Sequence, residues 1–95
     1  MKTIATSSVE DGLDFGFNLL VGPAADAGRG DGVLAQRLLS LIESFVHLRY
    51  AGEPEIALSA LEELVNCVPL EHRRNQDQIA AQMVWLREQF SRNLG

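Results

Sequence analysis

Cysteine is nearly absent from this chain: Cys67 is the only one among 95 residues. A single cysteine cannot form an intramolecular disulfide, so the fold does not require an oxidising compartment. The same count excludes a Cys-x-x-Cys pair, a zinc ribbon and an iron–sulfur centre, because each of these needs several thiolates. Cysteine chemistry is thereby reduced to one thiol.

Long apolar runs are also missing. The longest contain three or four residues, whereas a membrane-spanning helix needs roughly 18. The N-terminal stretch MKTIATSSVEDG has no apolar segment before Glu10 and Asp11, so it does not resemble a secretory signal. We therefore expect no membrane partner and a cytoplasmic location.

Positive charge is scarce as well. Eight Lys and Arg residues accompany thirteen Asp and Glu residues, which gives a net charge of −5 and a pI near 4.8. A nucleic-acid-binding protein needs a basic surface that replaces counterions, so no nucleic-acid partner is expected. The excess of carboxylates suits a basic partner instead. With 46% apolar residues, the chain has enough apolar surface for one small domain.

Glycine divides the chain near residue 32, because six of the eight glycines lie in residues 1–32. Glycine weakens a helix by about 1 kcal/mol per residue, so residues 22–32 are predicted to form a loop. Before that loop, Leu13, Phe15 and Phe17 alternate with Asp14 and Gly16. This alternation favours an extended segment, with a short helix over 12–21 as the alternative. The predicted organisation is a glycine-rich segment 1–32 followed by one helical domain, 33–95.

The first predicted helix covers residues 33–50. Its apolar side chains recur every three or four positions, at Leu34, Leu38, Leu41, Phe45 and Leu48. This spacing is typical of an amphipathic helix. Asp31 is the expected N-cap, and Gly52 is expected to end the helix.

Two more helices follow. Pro54 is well placed in a first helical turn, and Pro69 prevents continuation of that helix. The last helix is expected from about 71 to 93, with an apolar stripe at Ile79, Met83, Leu86, Phe90 and Leu94. Only about four residues separate the first two helices, so they should form an antiparallel hairpin.

These patterns predict an all-α fold. It is a small antiparallel bundle of three main helices, with the irregular or partly extended segment 1–32 covering one end. The predicted core consists of the residues that share the three apolar stripes: Leu34, Leu38, Leu41, Phe45, Leu48, Ala57, Leu61, Leu64, Ile79, Met83, Leu86 and Phe90.

No convergent catalytic set appears in the sequence. His47 lies four residues after Glu43. A catalytic base and its orienting carboxylate could have this spacing, but so could any pair of surface residues on a helix. Cys67 lies between Val65 and Val68 near the end of a helix, which is typical of a half-buried small apolar residue. The glycine-rich stretch 27–32 precedes a helix but lacks the GxxxxGK[ST] signature. We therefore predict no enzymatic activity, no cofactor and no metal site.

Charge placement is more informative. No basic residue occurs between Arg49 and Arg73, whereas the carboxylates of this stretch concentrate on and before the second helix, at Glu53, Glu55, Glu62 and Glu63. Such a face is either ordinary solvated surface or a docking surface for a basic partner. His47 and Tyr50 would lie at its rim. Trp85, beside the last apolar stripe, is either half-buried core or a binding hot spot.

The run AGEPEIALSALEEL at residues 51–64 is similar to the helix turn of a tetratricopeptide repeat, but it occurs once, so no solenoid is expected. Residues 34–90 resemble small acidic immunity proteins of the MafI type and their relatives in bacterial contact-dependent inhibition systems. The matching features are a first helix, the Gly52-Glu53-Pro54 turn, the segment Ala57-Leu58-Ser59-Ala60-Leu61 and a closing helix. The glycine-rich residues 1–32 depart from that pattern.

The resemblance implies an immunity protein that binds and neutralises a cognate bacterial toxin, for example a nuclease, without catalysis of its own. In that case the acidic face would contact a basic toxin, through Glu53, Glu55, Glu62 and Glu63. The alternative is a helical interaction module or regulatory subunit, for example a homodimer joined through the Val84 and Trp85 side of the last helix.

Overall fold

The computed structural model describes the backbone of residues 2–94 and the side chains of residues 9–92. Its elements are α1 (Lys2–Gly28), α2 (Gly32–Tyr50), α3 (Pro54–Cys67), a single 3₁₀ turn (Leu70–His72) and α4 (Gln76–Leu94). The described residues contain no strand, so the prediction of an all-α fold is confirmed. The three predicted helices correspond to α2, α3 and α4. Helix α1 is a fourth helix, in a segment where the sequence favoured an extended structure and left a short helix over 12–21 as the alternative.

The prediction of an irregular or partly extended segment over residues 1–32 is wrong for the described part of that segment. Helix α1 continues through its glycines and Pro23 to Gly28, and only the short turn to Gly32 is not helical. The reason is burial along one helical face, by Val9, Leu13, Leu20, Ala24 and Ala27. Burial of such a face offsets the weak helix propensity of glycine, because most helical stability in proteins comes from packing.

Gly12 shows why glycine is useful inside α1. A Cβ atom at Gly12 would lie 2.6 Å from Cζ3 of Trp85 on α4. The Nε2 group of Gln82 also donates a hydrogen bond of 2.9 Å to the carbonyl oxygen of Gly12. Glycine therefore allows the backbone of α1 to approach α4 closely, and its poor helix propensity is accepted for that contact.

Helix α1 is the central element of the bundle. It packs against α2, α3 and α4, whereas α2 and α4 make no direct helix–helix contact within the described residues. The tightest pair is the α2–α3 hairpin, as the short connection predicted. The N-terminal segment therefore holds α4 onto the hairpin.

The ends of the helices follow the sequence signals. The Oδ1 atom of Asp31 accepts hydrogen bonds from the N–H groups of Val33 and Leu34, both at 3.1 Å. At the other end of α2, Gly52 has a φ of +76°, and the N–H of Glu53 donates to the carbonyl of Leu48. These contacts form an N-cap and a Schellman-type C-terminus.

The predicted core is largely correct. Seven of its members have relative exposures of 4% or less: Leu38, Phe45, Ala57, Leu61, Leu64, Ile79 and Leu86. The other five are partly buried and pack against this cluster: Leu34, Leu41, Leu48, Met83 and Phe90. The core also includes the buried face of α1, which the prediction omitted.

Candidate functional site

The start of α3 presents exposed carboxylates. Glu53 is the N-cap residue by position, but its side chain makes no capping hydrogen bond. Glu55 lies in the first turn, and both residues are exposed. The positive end of the helix dipole favours negative charge here, so the fold accommodates both carboxylates without a cationic neighbour.

Glu62 differs from the other three glutamates of the predicted face. Its side chain is only 24% exposed, and its Oε2 atom accepts a hydrogen bond from Nε of Arg87 on α4. This pair bridges α3 and α4 and neutralises the charge of Glu62. Glu63 is exposed and has no ion-pair partner within residues 9–92. The exposed acidic surface therefore consists of Glu53, Glu55 and Glu63, and we call it the α3 acidic face.

Tyr50 is the last residue of α2, and only residues 51–53 separate it from the start of α3. Its side chain is 89% exposed, and Glu53 follows it by three residues in the sequence. His47, one turn earlier on α2, is also exposed. The structure therefore places both predicted rim residues on the surface at the end of α2.

Trp85 lies elsewhere. It is half-buried and packs against the core, on the side of α1 that Gly12 leaves open. Tyr50, by contrast, lines a hollow together with Asp14, whose side chain lies on a different side of α1 from Gly12. The structure therefore separates Trp85 from the α3 acidic face and gives it a packing contact between α1 and α4.

The ion pairs of Arg49 were not predicted from the sequence. Its Nε and Nη2 atoms each donate a 2.9 Å hydrogen bond to one oxygen of Asp14, and Glu10 lies 3.8 Å from Nη1. The hydrogen bonds to Asp14 raise the pKa of Arg49 above its ordinary value. The signal was the four-residue spacing of Glu10 and Asp14, which places both on one side of a helix.

The other titratable candidates do not converge. Cys67 is a half-buried free thiol, and His72 lies in the 3₁₀ turn. Among the described residues, no group of three or more His, Cys, Asp or Glu side chains is arranged to hold a metal ion. Within the same part of the chain, none of the helices is both long and apolar enough to cross a bilayer.

Comparisons with protein-family models, with curated proteins and with solved structures gave no significant match to this chain.

Proposed function

We propose that this chain is a non-catalytic immunity protein that binds a basic bacterial toxin through the α3 acidic face and Tyr50. The observation that carries the proposal is the combination of charge and an exposed aromatic ring. Glu53, Glu55 and Glu63 have no cationic partner within the described side chains, and Tyr50, three residues before Glu53, is almost fully exposed.

Each part of this surface has a distinct expected role. Exposed carboxylates accelerate encounter with a basic protein and select against acidic ones, and salt weakens this effect. Tyrosine contributes apolar contact area with little conformational entropy to lose, and it is enriched at binding hot spots. The charges would therefore govern the association rate, and Tyr50 would govern dissociation.

Glu62 has a narrower role in this proposal. Because its carboxylate already binds Arg87, a partner would have to displace that contact before using the charge. We therefore assign Glu62 to the α3–α4 contact and leave partner recognition to the other three glutamates.

Photo-crosslinking in the host cell tests the proposal. A photoreactive phenylalanine analogue replaces Tyr50 in one variant and Phe15 in the control, since Phe15 is also exposed, at 49%, but lies on α1. We expect Tyr50 to capture one basic protein and Phe15 to capture none. Charge reversal of Glu53, Glu55 and Glu63 to lysine should abolish the Tyr50 product.

Two results would contradict the proposal. The first is equal capture from both positions, and the second is a captured product that is acidic or insensitive to the charge reversals. A product formed with another copy of the chain would favour the alternative, a homodimeric interaction module. Val84 is 58% exposed on α4, so a photoreactive residue at this position would test the homodimer.

A further inference from the structure

A second apolar stripe follows α2, beside the stripe that faces the core. Its members are spaced four, three, four and four residues apart, at Ala35, Leu39, Ile42, Val46 and Tyr50. This spacing places them on one side of the helix. Leu39 is 54% exposed and Val46 is 37% exposed, whereas Phe45 of the core-facing stripe is 2% exposed. Helix α2 therefore has an apolar face that the described residues leave open.

Helix α1 forms the second wall of a groove along this face. Phe17, Val21 and Ala25 follow at four-residue intervals and line two successive hollows against α2. The ring of Phe17 stacks on that of Phe45 with centroids 4.6 Å apart, which gives the groove a packed floor. Along the α2 stripe, a rise of about 1.5 Å per residue makes the groove roughly 22 Å long, or about four helical turns.

The edges of this α1–α2 groove are mainly acidic. Glu10 and Asp14 contact Arg49 at one end. Asp11 precedes Asp14 by three residues, and its charge also acts on Arg49. Glu43 follows Leu39 by four residues on the exposed side of α2. Carboxylates therefore outnumber guanidinium groups near Tyr50, while the floor of the groove is apolar.

We propose that the α1–α2 groove receives an amphipathic helix from the partner protein, with Lys or Arg along the edges of the apolar side of that helix. The inference rests on the proposed function and specifies how the partner docks. Apolar side chains every three or four residues would fill the groove, and the cations would meet its acidic edges. A second copy of this chain fits less well, because two acidic edges would meet. Of the guanidinium groups that line the groove within the described residues, Arg49 is already paired with Asp14 and Arg29 lies at the far end.

A synthetic helix tests the inference with the full purified chain. The probe is a fluorescent peptide of about 18 residues, roughly five turns, made only of Leu and Lys with Leu at helical spacing. Its control has the same composition in scrambled order. We expect the helical peptide to bind about tenfold more tightly than the scrambled one, a difference of about 1.4 kcal/mol. Amide NMR shifts should concentrate at Phe17, Val21, Leu39 and Val46.

Matched variants locate the binding. Leu39→Gln combined with Val46→Gln removes apolar surface from the groove without adding charge, and we expect it to weaken binding by about tenfold. Val84→Gln is the control, because Val84 is 58% exposed, close to the 54% of Leu39, but lies on α4. Thermal unfolding of both variants should match that of the unmodified chain, since the altered side chains are exposed.

Several outcomes would overturn the inference. Equal binding of the scrambled peptide would show that charge alone attracts it, and loss of binding in Val84→Gln would place the site on α4. A dimer in light scattering that the groove variant dissociates would assign the groove to a second copy. Failure of the proposed function is detected separately by the Tyr50 crosslink, because the peptide assay needs no native partner.

Discussion

Arg49 of α2 and Asp14 of α1 are 35 residues apart in sequence and form two side-chain hydrogen bonds of 2.9 Å. This bidentate contact joins the N-terminal helix to the α2–α3 hairpin at the end of the groove where Tyr50 lies. The side chain of Arg49 is 25% exposed and that of Asp14 is 47% exposed, so solvent screens the pair in part. Two parallel hydrogen bonds are nevertheless the strongest arrangement in which an arginine and a carboxylate can bind each other.

Replacement of Arg49 should therefore cause a modest loss of stability. We expect Arg49→Met to lower the free energy of unfolding by about 1 kcal/mol in chemical denaturation, after allowance for solvent screening. Arg37→Met is the control, because Arg37 is exposed and makes no ion pair within the described residues. An equal effect of the two substitutions would show that the Asp14 contact contributes nothing.

The pH dependence of this contribution has a definite sign. The hydrogen bonds to Asp14 hold the folded-state pKa of Arg49 above its ordinary value. Stability from the protonated guanidinium is therefore fully present below that ordinary value and is lost only as pH rises past the folded-state value. The stability difference between the parent chain and Arg49→Met should stay constant from neutral pH to mildly alkaline pH. A fall in this difference between pH 8 and 10, roughly two pH units or more below the ordinary arginine pKa, would contradict the assignment.

The approach of α1 to α4 predicts opposite effects at two glycines. Gly12→Ala should destabilise the chain by about 1–3 kcal/mol, because the new methyl group would overlap Trp85. Gly32→Ala has open space around its Cβ position and should be neutral or stabilising by up to about 1 kcal/mol. Urea unfolding of both variants provides the measurement. If Gly12→Ala is as well tolerated as Gly32→Ala, then α1 does not pack on α4 as described.

Leu61 tests the core in the same way. It is fully buried on α3, so Leu61→Ala should reduce the free energy of unfolding by about 2–5 kcal/mol. Leu39→Ala removes the same atoms from an exposed position on α2 and should cost less than about 1 kcal/mol. A loss below about 1 kcal/mol at Leu61 would mean that the buried face of α3 has been misassigned.

Local signals in the sequence were sufficient for α2 and α3. Asp31, Gly52, Pro54 and Pro69 mark helix ends through backbone chemistry that acts over a few residues. The structure accordingly begins and ends these two helices at or beside those residues. The last helix was less well predicted, because Leu70–His72 forms a separate 3₁₀ turn before α4 begins at Gln76.

Helix α1 shows where local signals fail. The alternation of Leu13, Phe15 and Phe17 favoured an extended segment, but Leu13 is buried, Phe17 is half-buried and Phe15 is 49% exposed. The helical period was present in Val9, Leu13, Leu20, Ala24 and Ala27. It was obscured by glycines whose use becomes apparent only when α4 packs against them.

The candidate site was also predictable only in part, because some of its contacts depend on how the helices pack. Charge counting located the glutamates of α3 and the helix period placed them outward, since neither step needs tertiary information. The Glu62–Arg87 pair joins residues 25 apart in sequence on different helices. The Arg49–Asp14 pair depends on α1 being helical. Contacts of that kind follow from the packing of helices, which the spacing of one helix does not specify.

Survival in co-culture most directly tests whether this chain protects its cell by binding a toxin. A strain lacking the gene is grown with its parent and complemented with the chain or with its variants. We expect the deletion strain to be killed and the unmodified chain to restore survival. Charge reversal at Glu53, Glu55 and Glu63 should not protect, whereas the same reversal at the exposed residues Glu71, Asp77 and Glu88 should. Survival of the uncomplemented deletion strain, or full protection by the first variant, would contradict the account.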